Sequence, residues 1–374
     1  MRQPILILGH NYATQFIDIY NQYTKLFNPE QFDVTVAYLT GEPDEAVKRR
    51  TLAQNVLFLN TPKTGTRGLK MAVVKQLLAL CREKQFQIVI CHRYKPTYIM
   101  MWIAQFLPIP ALIFVMHELG TMTSLRRQLL MAVLRRKNML FAGVSNAVRD
   151  DLRDTLWCVP NDRIATLYNM IDIELTEPQL LSRTEARKAL NLPDEAFVFG
   201  NLARLAPNKN QTSLIQAFAC VKKSYPLAKL IILGEGELGD SLKKQAQNSR
   251  FGHDIIFSGF VPEGFRYMKA FDCFVLSSTQ EAFGRVLLEA MVARLPIIAT
   301  TVHGIPEVVA HAGTLVPPDK ADKLAAAMND MCALTLTDRE KLGAQAYEHA
   351  RIAFSIPAFQ RQFWQLPLLA ALKD

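Results

Sequence analysis

Two cations and two acids in the second half of this 374-residue chain have the types and spacing to grip a charged, hydroxyl-rich molecule. Arg204 closes an apolar run, "FVFGNLARL", and Lys209 stands just before a helical stretch that Asn208 or Asn210 can cap. Cationic side chains beside a helix start add to its free N–H groups and dipole, which makes an anion site suited to a diphosphate. Glu281 lies in the loop after "DCFVLSS". The next helix is expected to begin near Gly284, whose small size lets a ligand approach the exposed N–H groups. Glu289 then falls about five residues inside, roughly 7–8 Å along the axis. Carboxylates so separated do not share a proton, but they can accept hydrogen bonds from hydroxyls at two ends of an extended ligand, and sugars supply those. Gly234, in "ILGEGEL", either lets backbone approach a phosphate or simply makes a turn; its spacing is not that of G-x-G-x-x-G.

Such residues need rigid elements to hold them. Short β-branched runs recur at intervals long enough for a helix each: "PILILG", "FDVTVAYL", "NVLFLN", "FQIVICH", "ALIFVMHE", "MLFAGVS" and "IATLYN". Their near-continuous hydrophobicity suits a parallel sheet covered on both faces. The pattern pauses over the polar stretch 172–196 and restarts with "FVFGNLARL", "AKLIILGEG", "DIIFSGF", "DCFVLSS", "PIIATTV" and "GTLVPP". Two successive runs of strand–helix units predict an α/β protein of two doubly wound, Rossmann-like domains facing a cleft. The expected division is 1–172 and 173–354, with a C-terminal helix over 355–374 returning to the first domain.

Bulk composition narrows the classes. Half the residues are hydrophobic, 21% are charged, and the formal net charge of +9 favours anionic partners without choosing among them. The basic residues are dispersed and no aromatic–basic motif appears, which counts against nucleic acid. Six scattered cysteines without a C-x-x-C pair read as small core hydrophobes in a reducing compartment. The start, "MRQPILILGHNY", does not read as a signal peptide, so the cytoplasm is the expected location. The apolar stretch 98–116 is broken by Gln105, Pro108 and Pro110, and reads as a buried helix, a turn and a strand rather than a membrane span.

The pairing of Glu281 with Glu289 and of Arg204 with Lys209 in "RLAPNK" resembles the retaining glycosyltransferases of family 4, which have the GT-B fold. So do "GVSNAVRDDL", "LYNMID", "GIPEVV" and "GTLVPPDKADKLAAAM", and the likeness spans most of the chain. The resemblance implies that Arg204 and Lys209 bind the diphosphate of a nucleotide sugar, that Glu281 contacts sugar hydroxyls and that Glu289 binds the ribose. Backbone N–H groups around Phe283, Gly284 and Arg285 would meet sugar or phosphate. It also implies a histidine near the reacting carbon, and "FVMHELG" offers His117. On the acceptor side stand Gly9, His10 and Asn11. Three positions depart from the family pattern: His303 replaces the first of two glycines before I-P-E, Met170 stands where glycine is usual, and Gly9 lacks an adjacent glycine.

The resemblance implies retention at the anomeric carbon, no required divalent metal, no cofactor and UDP as the leaving group. A hexose would pass to a hydroxyl of a glycan or lipid-linked acceptor such as lipopolysaccharide core. The segment 124–140 carries Arg126, Arg127, Arg135, Arg136 and Lys137 and no acid, so it suits weak docking on an anionic membrane. On a helical wheel at about 100° per residue these cations scatter, so a buried helix with basic ends is the alternative. Rival functions are a sugar-nucleotide 2-epimerase of the same build and a non-catalytic sugar-binding protein. A dinucleotide-dependent dehydrogenase is disfavoured because neither half carries the glycine fingerprint followed by a ribose-binding acid.

Overall fold

The structure, a computed structural model, describes residues 2–61 and 71–369. The chain divides into two compact units: one runs to Met170 and takes in the segment from Ile356, and the other is Ile171–Ser355.

Among the described residues the first unit holds seven parallel strands, β1 (Gln3–Gly9), β2 (Phe32–Tyr38), β3 (Asn55–Phe58), β4 (Ile88–His92), β5 (Ala111–Met116), β6 (Met139–Gly143) and β7 (Ile164–Thr166). They lie in the order β3-β2-β1-β4-β5-β6-β7. The second holds six, β8 (Val198–Leu202), β9 (Lys229–Leu233), β10 (Ile255–Gly259), β11 (Cys273–Leu276), β12 (Ile297–Thr300) and β13 (Thr314–Val316). Their order is β10-β9-β8-β11-β12-β13. Each expected apolar run becomes a strand. Ile5–Leu8, Ile88–Cys91 and Ala111–Met116 are wholly buried, which is why they carry no polar alternation. In both sheets the winding reverses beside the first strand, between β1 and β4 and between β8 and β11. Ligands of doubly wound sheets lie beyond the strand ends at that reversal.

Local chemistry fixes the strand-to-helix turns. Ser145 Oγ accepts from Val148 N at 3.1 Å and starts the helix Asn146–Thr155, while a Cβ on Gly143 would lie 2.3 Å from Arg149 N. The stretch 98–116 resolves into the end of the helix Tyr94–Ile103, a turn, and β5. No helix among the described residues is long and apolar enough to cross a membrane.

Three expectations need correction. The C-terminal helix is shorter than 355–374: it spans Ile356–Trp364, and residues 370–374 lie outside the described residues. It buries Phe359 and Phe363 against Tyr23 and Phe27, with Gln360 Nε2 donating to Leu26 O at 3.0 Å. The cysteines are not all core residues, because Cys220 is exposed. The basic segment is not a buried helix. Its helix, Leu125–Leu134, buries only Met131 and Leu134, and it leaves Leu125, Leu129 and Val133 at 65%, 50% and 77% exposure.

Candidate functional site

In the second unit, Arg204 and Lys209 follow β8 and Glu281 follows β11, the two strands that flank the reversal. Pro207–Lys209 forms a single 3-10 turn. Asn210 then takes a left-handed conformation (φ 49°), and its side chain accepts from Ser213 N at 3.4 Å to start the helix Gln211–Ser224. Asn210 is therefore the cap. Asn208 instead ties this loop to the one after β11. Its carbonyl accepts from Thr279 N at 2.9 Å, and its Nδ2 donates to Gln280 O at 3.2 Å. Ser277 Oγ donates to Lys209 O at 2.9 Å. These bonds lace the two loops together. Lys209 Nζ consequently meets Glu281 Oε2 in an ion pair, with the side chains only 18% and 16% exposed. Ser278 Oγ donates to the same carboxylate oxygen at 3.4 Å.

Gly284 begins the helix Arg285–Val292 at φ 87°, a conformation that suits glycine, and no side chain caps the helix. Its first N–H groups have no intrahelical acceptors. The "GIPEVV" motif supports this loop from below. Gly304 N donates to Glu281 O at 3.1 Å, and a Cβ on Gly304 would lie 2.2 Å from Ala282 O. Phe283 is buried edge-on to Phe354, with centroids 5.7 Å apart, while Arg285 and Glu289 are half-buried. The arrangement offers a partly shielded cation, a carboxylate and an uncapped helix start together. A phosphate and adjacent hydroxyls need all three.

Two residues named from sequence stand differently. Arg204 is exposed, and among the described residues it forms no ion pair; Gln211 Nε2 holds its carbonyl at 3.2 Å. Gly234 has φ 138°, and a Cβ there would lie 2.0 Å from Ala203 O. The chain's own packing demands that glycine.

In the first unit, His10, Arg93 and His117 follow the adjacent strands β1, β4 and β5. Gly9 makes room for the Tyr20 ring, which a Cβ would approach to 2.5 Å. Tyr20 Oη donates to Asn11 O at 3.3 Å, and Thr40 Oγ1 donates to His10 O at 2.8 Å. His117 Nε2 lies 3.0 Å from Nδ1 of His92, the last residue of β4. His92 is fully buried, with Tyr23 edge-on at 4.6 Å and Tyr20 tilted at 5.1 Å. Burial, and then the neighbouring His117, hold its imidazolium pKa well below the ordinary value. One ring of the pair donates and the other accepts, so His92 fixes the ring plane of His117. Sequence reading missed His92. Its signal was a second strand-terminal histidine, "IVICH" beside "FVMH".

Residues 182–349 match the family model described as glycosyl transferases group 1, and residues 25–175 match the one described as glycosyltransferase family 4. An alpha-monoglucosyldiacylglycerol synthase from Streptococcus pneumoniae is 34% identical over 164 residues, 43% of this chain and 36% of that protein. A lipopolysaccharide core biosynthesis glycosyltransferase from Rhizobium meliloti is 29% identical over 223 residues, 57% and 63% of the two chains. The match thus spans less than two thirds of either relative's length. A crystal structure of an Anabaena protein in complex with UDP-glucose aligns with a TM-score of 0.75 at 21% identity, covering 99% of both chains. That likeness is one of fold.

Proposed function

We propose that this chain, whose two halves match those glycosyltransferase models, is a family 4 glycosyltransferase that moves a hexose, with retention, from a UDP-linked sugar to a hydroxyl of a glycan or lipid-linked acceptor such as lipopolysaccharide core. The observation that carries this reading is the Lys209–Glu281 pair beside the uncapped helix start at Gly284. The bond between the anomeric carbon and the β-phosphate oxygen breaks, and the acceptor oxygen bonds to that carbon on the same face while its proton passes to the departing phosphate oxygen. Charge develops on the departing phosphate. Lys209, Arg204 and the helix N–H groups stabilise it, so no divalent metal and no cofactor is required. Glu281 exchanges its bond to Lys209 for sugar hydroxyls, Glu289 takes the ribose, and His117, held by His92, stands near the reacting carbon. The relative that makes a glucosyl diacylglycerol and the one of lipopolysaccharide core support a lipid-linked acceptor.

The basic segment 124–140 docks weakly on an anionic bilayer at the cytoplasmic face. Its cations and the exposed stripe Leu125, Leu129 and Val133 support that placement, because residues four apart share a helix face.

Titrating UDP and UDP-glucose against the protein in EDTA, then following products with UDP-glucose and extracted lipid acceptors, tests the reading. A charge-assisted contact contributes roughly 1.5–3 kcal/mol, so Lys209→Ala should cost tenfold or more in kcat/KM. A folded Lys209→Ala protein with unchanged donor affinity and turnover defeats the assignment. So does conversion of UDP-sugar to a free isomer without acceptor.

A further inference from the structure

We infer that the first unit holds a subsite for a phosphate ester carried by the acceptor, an inference that rests on the glycosyl-transfer reading and narrows its acceptor. His10 and His117 border a cavity of about 380 Å³ whose wall also carries Arg93, Lys95 and Arg127. Three cations around one concavity repel each other, and surface charges are ordinarily dispersed or paired. Glu118 is the one acid in the wall. It binds Arg93 Nη2 at 2.8 Å and is itself two-thirds exposed, at 66%.

The other two cations have no acid partner among the described residues. Arg127 lies over the Tyr94 ring, with Cζ 4.3 Å from the centroid, and gives one N–H to Thr121 O at 2.5 Å. The ring and that bond fix the guanidinium plane while leaving further N–H groups for a guest. Lys95 makes no ion pair among the described residues. A flat, oriented guanidinium beside a mobile ammonium matches a phosphate, which takes bidentate and single contacts together. The net excess of two positive charges fits a dianion better than a carboxylate. A neutral glycan would leave these cations uncompensated. The phosphate can reach the cavity on a soluble sugar or on a lipid, and the two sources share this chemistry.

The full chain, saturated with UDP to occupy the second unit, is titrated calorimetrically with glucose 6-phosphate, glucuronate and glucose. It is also sedimented with vesicles of phosphatidylcholine alone or with phosphatidic acid. Glucose 6-phosphate should bind more tightly than glucuronate, and glucose should not bind. Lys95→Glu should weaken that binding on the order of tenfold or more, and Lys95→Arg should keep it. A Lys95-dependent capture by phosphatidic acid without glucose 6-phosphate binding assigns the phosphate to a lipid and sustains the inference. Equal binding of glucose and its phosphate, indifference of every phosphate probe to Lys95→Glu, or loss of glucose 6-phosphate binding when UDP is added overturns it. Donor binding is read in the same samples. Failure of UDP to bind therefore strikes the glycosyl-transfer reading, and failure of the phosphate probes strikes this one alone.

Discussion

Lys209 and Glu281 satisfy each other, and under the proposed reading a donor replaces that mutual contact with a phosphate on one side and hydroxyls on the other. The residue types were legible because Arg, Lys and Glu after apolar runs stand at strand ends. Their pairing was not, because it depends on Asn208 and Ser277 lacing two loops that are about seventy residues apart in sequence. His92 was illegible for a related reason: a lone strand-terminal histidine gains meaning only when its partner on the next strand is known. Its burial has a measurable consequence. Tyr20, Tyr23 and His117 surround the ring, and none is an acid that could compensate an imidazolium. The unfolded chain takes up this proton as pH falls through about 6.5, while the folded chain keeps His92 neutral. The unfolded state then binds more protons, so stability present above that pH is lost as pH drops below it, by up to about 1.4 kcal/mol per unit. His349, held down chiefly by burial, adds a second such slope. Urea midpoints between pH 7.5 and 5.0 should therefore fall more steeply for the native chain than for His92→Gln. Parallel curves would mean that His92 is not the titrating group.

At the scale of elements, all thirteen strands among the described residues were readable because each falls on a short apolar run, and the central ones, β4 and β5, are buried along their whole length. The helix Leu125–Leu134 was not readable in the same way. Its leucines and valine have the composition of a core face, and only the packing shows that Leu125, Leu129 and Val133 are left outside. Three of its cations, Arg135, Arg136 and Lys137, lie beyond the helix end rather than on the wheel, with Arg136 tied to Gln105 beside the exposed Phe106. Apolar and basic groups so combined support the proposed contact with an anionic bilayer. Leu129→Glu should reduce co-sedimentation with phosphatidylglycerol vesicles several-fold. Because the residue is exposed, urea stability should stay within about 0.5 kcal/mol. Binding that ignores both the substitution and the anionic lipid fraction would remove the membrane from the proposal.

At the scale of the whole chain, each unit closes its own core, and the chain returns to the first through Ile356–Trp364. Phe363 is fully buried there, edge-on to Phe27 with centroids 5.6 Å apart. Phe363→Ala removes a ring that the surrounding aromatics cannot refill, a loss of about 3–5 kcal/mol. The three tryptophans, Trp102, Trp157 and Trp364, all belong to the first unit, so intrinsic tryptophan fluorescence reports that unit alone. In Phe363→Ala the fluorescence transition should move to markedly lower urea. UDP affinity, which the proposal assigns to the second unit, should stay within twofold at urea concentrations below that transition. Fluorescence and UDP binding lost together at one lowered midpoint would instead show that the two cores unfold as a single cooperative body, and the second could not then be treated as a self-sufficient nucleotide-sugar site.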